Sequence, residues 1–219
     1  MDKTNFSPNT HIFLWDLHGV ILKKSLWSWL FSCLRFKRKR EIIRNLNKKT
    51  IKILVLFILE GLKLTKKQMV SEELIKAAQT SNNDALIELI MLVCSSYSPI
   101  KKTVHIMQDL SQRGYIHHLG SNIGKTVYDD CFKKFPTIFN FFKETTIPFE
   151  SDNATIIKKP HQDFFHSHIK KHNLEAHQII FIDDKLTNVQ AAQSIGMHGI
   201  HFKNARQLHK KLKNLHIIS

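Results

Sequence analysis

Three short apolar runs that stop abruptly at polar residues constrain this chain more than any other feature. Ile12-Phe13-Leu14-Trp15 ends at Asp16, Tyr115 to Leu119 ends at Gly120-Ser121-Asn122, and Gln178-Ile179-Ile180-Phe181-Ile182 ends at Asp183-Asp184. A fourth run, Met197 to Phe202, follows Gly196. Short continuous apolar stretches suit strands covered on both faces, as in a parallel sheet. His117 and His118 weaken the second run. Helical patterns separate the runs: Pro99 to Gln112 stopped by Gly114, Gln162 to His172 with Pro160 near its start, and Leu186 to Ile195 closed by Gly196. Glycine is the usual residue just past a helix end. Strands alternating with helices predict an α/β fold on a parallel sheet.

The stretch between the first and second runs has a different period. Leu26, Trp27, Leu30, Phe31 and Leu34 fall at helical spacing, as do Ile51, Leu54, Val55, Ile58 and Leu62, then Leu74, Ala77 and Ala78, then Ala85, Leu86, Leu89 and Ile90. Glycine and proline are scarce there and no strand alternation appears. The expectation is a core formed by residues 1–22 and 101–219, with a helical insertion at 23–100. The 219 residues suit one core domain with such an insertion.

Charge narrows the partners. A net charge of +15 with neutral histidines favours anions: phosphorylated metabolites, nucleic acid or anionic membrane surfaces. It does not choose among them. The three cysteines, Cys33, Cys94 and Cys131, match no metal or redox spacing and read as free thiols in a reducing compartment. The N-terminus has no apolar signal stretch. The longest apolar run, Ile51 to Leu59, is interrupted by Lys52 and falls short of the roughly 18–20 residues of a membrane span. A cytoplasmic protein without a transmembrane segment is expected.

Open parallel sheets place ligand sites at the carboxyl ends of their strands. That location collects Asp16, Ser121, Asp183 and Asp184, and a loop lysine, Lys159, precedes Pro160. Together they make a phosphoryl-transfer set: a carboxylate nucleophile, a hydroxyl for phosphate oxygens, a cation, and carboxylates for a divalent metal. The four segments resemble, in order, the motifs of the haloacid dehalogenase (HAD)-like hydrolases. Ile12-Phe13-Leu14-Trp15-Asp16-Leu17-His18-Gly19-Val20 resembles the first, Leu119-Gly120-Ser121-Asn122 the second, Lys159-Pro160-His161-Gln162-Asp163-Phe164-Phe165 the third, and Phe181-Ile182-Asp183-Asp184-Lys185-Leu186-Thr187-Asn188 the fourth.

The resemblance implies a Rossmann-like three-layer core with an inserted helical C1-type cap, and a Mg²⁺-dependent phosphatase acting on a small phosphorylated metabolite. It implies Asp16 as nucleophile, forming an aspartyl-phosphate. Asp16 and Asp183 would hold Mg²⁺, joined by the backbone carbonyl of His18 and by Asp184, with Asn188 in support. Ser121 would bind a phosphate oxygen through its hydroxyl and Asn122 through its amide, assisted by Ile123 if a helix starts there. Lys159 would neutralise transition-state charge. His18 departs from the pattern, because phosphatases of this family usually carry a second aspartate there as general acid–base. Histidine is able to fill that role near neutrality. A silent His18 would leave a slow phosphatase, hydrolytic dehalogenation, or a protein that only binds a phosphorylated ligand, a protein or nucleic acid.

Two further patterns carry blander readings. The basic segment 35–40, beside Trp27, Trp29 and Phe31, reads as a packed helix face with a solvated end rather than a nucleic-acid or membrane site. His166, His168 and His172 have metal-like spacing but lack a completing ligand for zinc.

Overall fold

The computed structural model describes residues 6–24, 26–61, 77–94, 97–152 and 155–218. Leu62 and Leu74, assigned above to helical faces, lie outside the described residues, as do the side chains of Trp27 and Trp29. The chain divides into two compact units. The first comprises Met1–Lys23, Pro99–Asn122 and Phe135–Ser219; the second comprises Lys24–Ser98 and Ile123–Lys134. Ile123–Lys134 therefore groups with the helical unit. No helix among the described residues is long and apolar enough to cross a membrane.

The strands are β1 (Ile12–Trp15), β2 (Leu22–Lys24), β3 (Tyr97–Pro99), β4 (Ile116–Gly120), β5 (Phe142–Thr146), β6 (Phe149–Glu150), β7 (Ile156–Ile157), β8 (Ile179–Asp183) and β9 (His198–His201). Five of them form a sheet in the order β5-β4-β1-β8-β9, and each neighbouring pair is parallel. The helices are α1 (Leu26–Arg35), α2 (Lys39–Arg44), α3 (Lys48–Gly61), α4 (Asp84–Cys94), α5 (Lys101–Gln112), α6 (Lys125–Lys134), α7 (Pro136–Phe139), α8 (Gln162–His172), α9 (Leu186–Ser194) and α10 (Ala205–Asn214). The fold is the α/β Rossmann-like arrangement of a central parallel sheet flanked by helices.

β1 sits at the centre because both its faces are apolar. Side chains alternate across a strand. Ile12 and Leu14 enter a cluster with Phe164, Phe165, Ile179, Phe181 and Met197. Phe13 and Trp15 point the other way, their rings 5.6 Å apart, and Phe13 meets Tyr115 edge-on at 5.3 Å. Burying each such side chain is worth about 1.5–3 kcal/mol.

The histidines of β4 are core residues. The Trp15 indole N–H donates to His117 Nδ1 at 2.9 Å. His118 Nδ1 lies 3.1 Å from His168 Nε2, whose ring partner atom Nδ1 lies 2.8 Å from the Thr146 hydroxyl. Burial holds all three as neutral rings: it depresses His117 to about 4, His118 to about 4 and His168 to about 3, with repulsion among the neighbouring histidines adding to the last two. His172 Nδ1 faces Glu144 at 3.6 Å, while His166 is exposed near Asp163.

α9 ends as its sequence suggests. Gly196 adopts φ +95, and the amides of Gly196 and Met197 donate to the carbonyls of Gln193 and Ala192, closing the orphan carbonyls of the last turn.

The second unit is built from capped helices. Asn47 Oδ1 accepts from the Thr50 amide at the start of α3, and Asn83 Oδ1 accepts from the Leu86 amide at the start of α4. Such caps are worth about 1 kcal/mol each. Arg38 ties α2 to α4 by bonding both Glu41 and Glu88, at 2.6 Å and 2.7 Å.

Candidate active site

In the sheet order the chain runs outward from β1 through β4 to β5, then crosses back to β8 and β9 on the other side. Adjacent strands β1 and β8 flank that reversal, which is where open α/β sheets leave a crevice at their carboxyl ends. Asp16 follows β1 directly, its amide donating to Ile182 C=O at 2.8 Å, and Asp183 is the last residue of β8. Both are buried.

Lys159 joins them. Its Nζ donates to Asp16 Oδ1 at 2.9 Å, to Asp183 Oδ2 at 2.7 Å and to Gly120 C=O at 2.6 Å. The side chain is 1% exposed. Burial alone would strip its proton, but the charges of Asp16 and Asp183 and the bonds to them outweigh it and raise its pKa above the usual lysine range.

Asn122 holds this lysine in place. Its side-chain Nδ2 donates to Lys159 C=O at 2.7 Å, and its Oδ1 accepts from the Lys159 backbone amide at 2.9 Å. The anticipated part for Asn122 was an amide in the first turn of a helix. The following helix begins only at Lys125, so neither Asn122 nor Ile123 lies in a helical turn.

Asp183 is fixed from several directions. Asn188 Nδ2 donates to both its oxygens, at 3.0 Å and 2.9 Å, and the Lys185 amide donates to Oδ1 at 2.8 Å. Burial pushes the Asp183 carboxyl up against the pull of Lys159. Asp184 is more open to solvent. Even so, coverage of its carboxylate, with repulsion from Asp16 and Asp183, pushes it up to about 6.

Oxygen atoms of Asp16, Asp183 and Asp184 lie within 4.8 Å of one another, the one group of this kind among the described residues that could hold a metal ion. With all three ionised, the one ammonium bonded to Asp16 and Asp183, that of Lys159, leaves the cluster net negative. Carboxylate oxygens are the hard donors Mg²⁺ takes, so the residues present fit that ion.

Ser121 completes the floor. Its amide continues the sheet by donating to Thr146 C=O at 3.1 Å. Its Oγ is buried and has no hydrogen-bond partner. Gly120 before it receives Lys159 Nζ and Asn122 after it clamps the Lys159 backbone. An unpaired buried hydroxyl there costs about 1–3 kcal/mol unless something accepts or donates to it.

His18 lies in the turn after Asp16, where the Gly19 amide donates to Leu22 C=O at 2.7 Å. Gly19 has φ +87, and its α-carbon packs against the Asp184 carboxylate so closely that a Cβ would collide with it. The structure thus brings Asp16, Lys159, Asp183, Asp184, Asn122 and Asn188 into one connected network. Ser121 and His18 are placed beside it by chain neighbours. The Asn122 clamp had no signal in the sequence, since it spans 37 residues.

Comparison with known proteins supplies the family and the fold. The profile of the family "Hydrolase: haloacid dehalogenase-like hydrolase" matches residues 10–196. The chain is a HAD-like hydrolase. A stretch of 59 residues is 37% identical to the sesquiterpene phosphatase astK of Aspergillus oryzae, covering 27% of this chain and 30% of that protein. A stretch of 60 residues is 42% identical to flavin mononucleotide hydrolase 1 of Arabidopsis thaliana, covering 27% of this chain and 24% of that protein. The chain thus spans under a third of the length of these curated relatives. A HAD family enzyme from Bacteroides thetaiotaomicron, solved with magnesium and inorganic phosphate, superposes with a TM-score of 0.53 at 18% identity, covering 85% of this chain and 91% of that one. At that identity the likeness concerns the fold.

Proposed function

We propose that this HAD-like hydrolase is a Mg²⁺-dependent phosphatase acting on a small phosphate monoester through an aspartyl-phosphate at Asp16. The observation that carries the reading is the buried Lys159 ammonium shared by Asp16 and Asp183. A carboxylate pair of this kind repels an anionic ester unless cations are present, and a buried hydroxyl waits beside it. The named phosphatase relatives support a small phosphorylated substrate.

In the proposed reaction an Asp16 oxygen attacks phosphorus as the bond to the leaving oxygen breaks, and His18 gives that oxygen its proton. Water then attacks the phospho-aspartate phosphorus, losing a proton to His18, and the bond to the Asp16 oxygen breaks to release phosphate. Lys159 offsets the charge that develops, and Ser121 Oγ donates to a phosphate oxygen. Mg²⁺, held by Asp16, Asp183, Asp184 and the His18 carbonyl with Asn188 in support, would lessen repulsion between the attacking carboxylate and the ester. The helical unit is proposed as the cap that selects the leaving group.

The test is a panel of phosphate monoesters assayed with Mg²⁺ and with a chelator. Chelator-sensitive release of phosphate is expected from at least one ester, and the pH profile should move in His18→Ala. No release above an Asp16→Asn control on any ester would leave a binding protein. An unmoved pH profile would remove His18 from proton transfer.

Gly19→Ala provides a separate check on the metal set. The new methyl forces a positive φ on an L residue, costing about 1–2 kcal/mol, and displaces the Asp184 carboxylate, whose rotation is the cheapest relief. Mg²⁺ affinity measured by calorimetry should fall about tenfold, in the range seen when a metal's supporting groups are lost. Unchanged affinity would show that Asp184 contributes nothing to the ion.

A further inference from the structure

Segment 30–58 of the second unit combines exposed apolar side chains with basic ones, and the function proposed above uses neither. On α3, Ile51, Val55 and Ile58 are 51%, 49% and 45% exposed. At 3.6 residues per turn they fall within an arc of about 60°. Ile53 and Phe57, which are buried, occupy the opposite side of the same helix. Lys48 and Lys52, both exposed, border the apolar stripe on one flank. At the end of α1, Phe31 and Leu34 are 56% and 61% exposed, and the Arg35 guanidinium lies 5.7 Å from the Phe31 ring centre.

The charge is one-sided. Between residues 30 and 58 the chain carries Arg35, Lys37, Arg38, Lys39, Arg40, Arg44, Lys48, Lys49 and Lys52 against Glu41 alone. Arg38 is spent on Glu41 and Glu88. The remaining basic side chains are exposed. A packed face with a solvated end predicts that Phe31 is covered, yet it is 56% exposed, and Leu34 and the α3 stripe are exposed as well.

We infer that this segment is an interfacial surface that docks on an anionic lipid bilayer, with the apolar residues entering the headgroup boundary and the lysines and arginines meeting lipid phosphates. An exposed apolar stripe with Lys or Arg beside it is the surface that partitions into such interfaces. The two other occupants fit less well. Nucleic acid takes up basic surfaces through phosphate contacts and base stacking on aromatic rings, whereas Ile51, Val55, Ile58 and Leu34 are aliphatic. A second copy of the chain would set two equally basic surfaces against each other, and like charges at a contact oppose association.

The experiment is co-sedimentation of the full chain with vesicles of phosphatidylcholine alone and of phosphatidylcholine mixed with phosphatidylglycerol, at low and high salt. Strong binding to the mixed vesicles, weak binding to the neutral ones and release by salt are expected. Val55→Ser with Ile58→Ser, and separately Phe31→Ser with Leu34→Ser, should each reduce partitioning about tenfold. These positions are exposed, so the circular dichroism spectrum should be unchanged. Neutralising Arg40, Lys48 and Lys52 to Gln should reduce binding to the mixed vesicles on the order of a hundredfold and leave binding to neutral vesicles as it was. This triple substitution keeps the test decisive if an apolar pair fails to fold.

Absence of vesicle binding overturns the inference. So does binding that survives both apolar pairs. A dimer in sedimentation equilibrium that Val55→Ser with Ile58→Ser dissociates, without vesicle binding, would assign the face to a second copy. Retention on an RNA homopolymer without vesicle binding would assign it to nucleic acid.

Discussion

Asp16→Asn is expected to lower turnover by on the order of ten-thousandfold or more while leaving the fold intact. An amide is a far poorer nucleophile than a carboxylate, and it cannot form the aspartyl-phosphate. The substitution is close to isosteric, and Asn Oδ1 still accepts from Lys159 Nζ. Lys159 also keeps its bonds to Asp183 and the Gly120 carbonyl, so its burial stays compensated. One negative charge fewer in a cluster with Asp183 and Asp184 relieves repulsion rather than adding it. Turnover should therefore collapse with an unchanged or slightly raised Tm, a separation that a merely structural aspartate would not produce. The check is single-turnover phosphate release alongside thermal unfolding of the same preparation. Residual turnover within about tenfold of the parent chain would assign the nucleophile elsewhere.

Acid should unfold this protein at a milder pH than its carboxylates alone would set. His117, His118 and His168 are pushed down to about 4, 4 and 3 by burial, whereas an unfolded histidine titrates near 6.5. As pH falls through about 6.5, the unfolded chain takes up protons that the folded chain refuses, so stability is full above that pH and declines below it. The decline flattens once the folded rings protonate near 4 to 3. For His117 and His168 together the steepest slope is about 3 kcal/mol per pH unit, an upper figure because charges in one cluster titrate in concert. That is a large part of the 5–15 kcal/mol that typically holds a domain together. Urea midpoints followed by circular dichroism from neutral pH downward should fall steeply below about pH 6. A flat midpoint down to about pH 4.5 would mean that the rings are protonated, or reach water, in the folded state.

The same histidines explain what could be read in advance. β1 and β8 were legible because Phe13, Leu14, Trp15 and Ile179 to Ile182 are apolar without interruption and buried on both faces. Their terminal aspartates were then placed by strand geometry alone. β4 was harder, since a polar label on His117 and His118 hides that the Trp15 indole and the His168 ring each meet one of their ring nitrogens inside the core. β5 left no apolar signal at all. Phe142-Lys143-Glu144-Thr145-Thr146 is an edge strand with mostly half-buried or exposed positions, and an edge strand needs little hydrophobicity.

Within the site, Lys159 was found through the proline that follows it. Its support by Asn122 was not, because a side-chain clamp across 37 residues exists only after the chain has folded. The exposure of the α3 stripe was not legible either: periodicity identifies a helical face but does not say what covers it.

An ammonium group has three hydrogens to give, and Lys159 has committed all of them to Asp16, Asp183 and the Gly120 carbonyl. In the proposed reaction an ester would therefore gain a positive field from this residue rather than a directed grip, unless one of those partners lets go. A field without direction does not discriminate among anions of different shape. On the proposed reading, the choice of substrate falls to groups with hydrogens or lone pairs to spare, and the buried Ser121 hydroxyl is one of them.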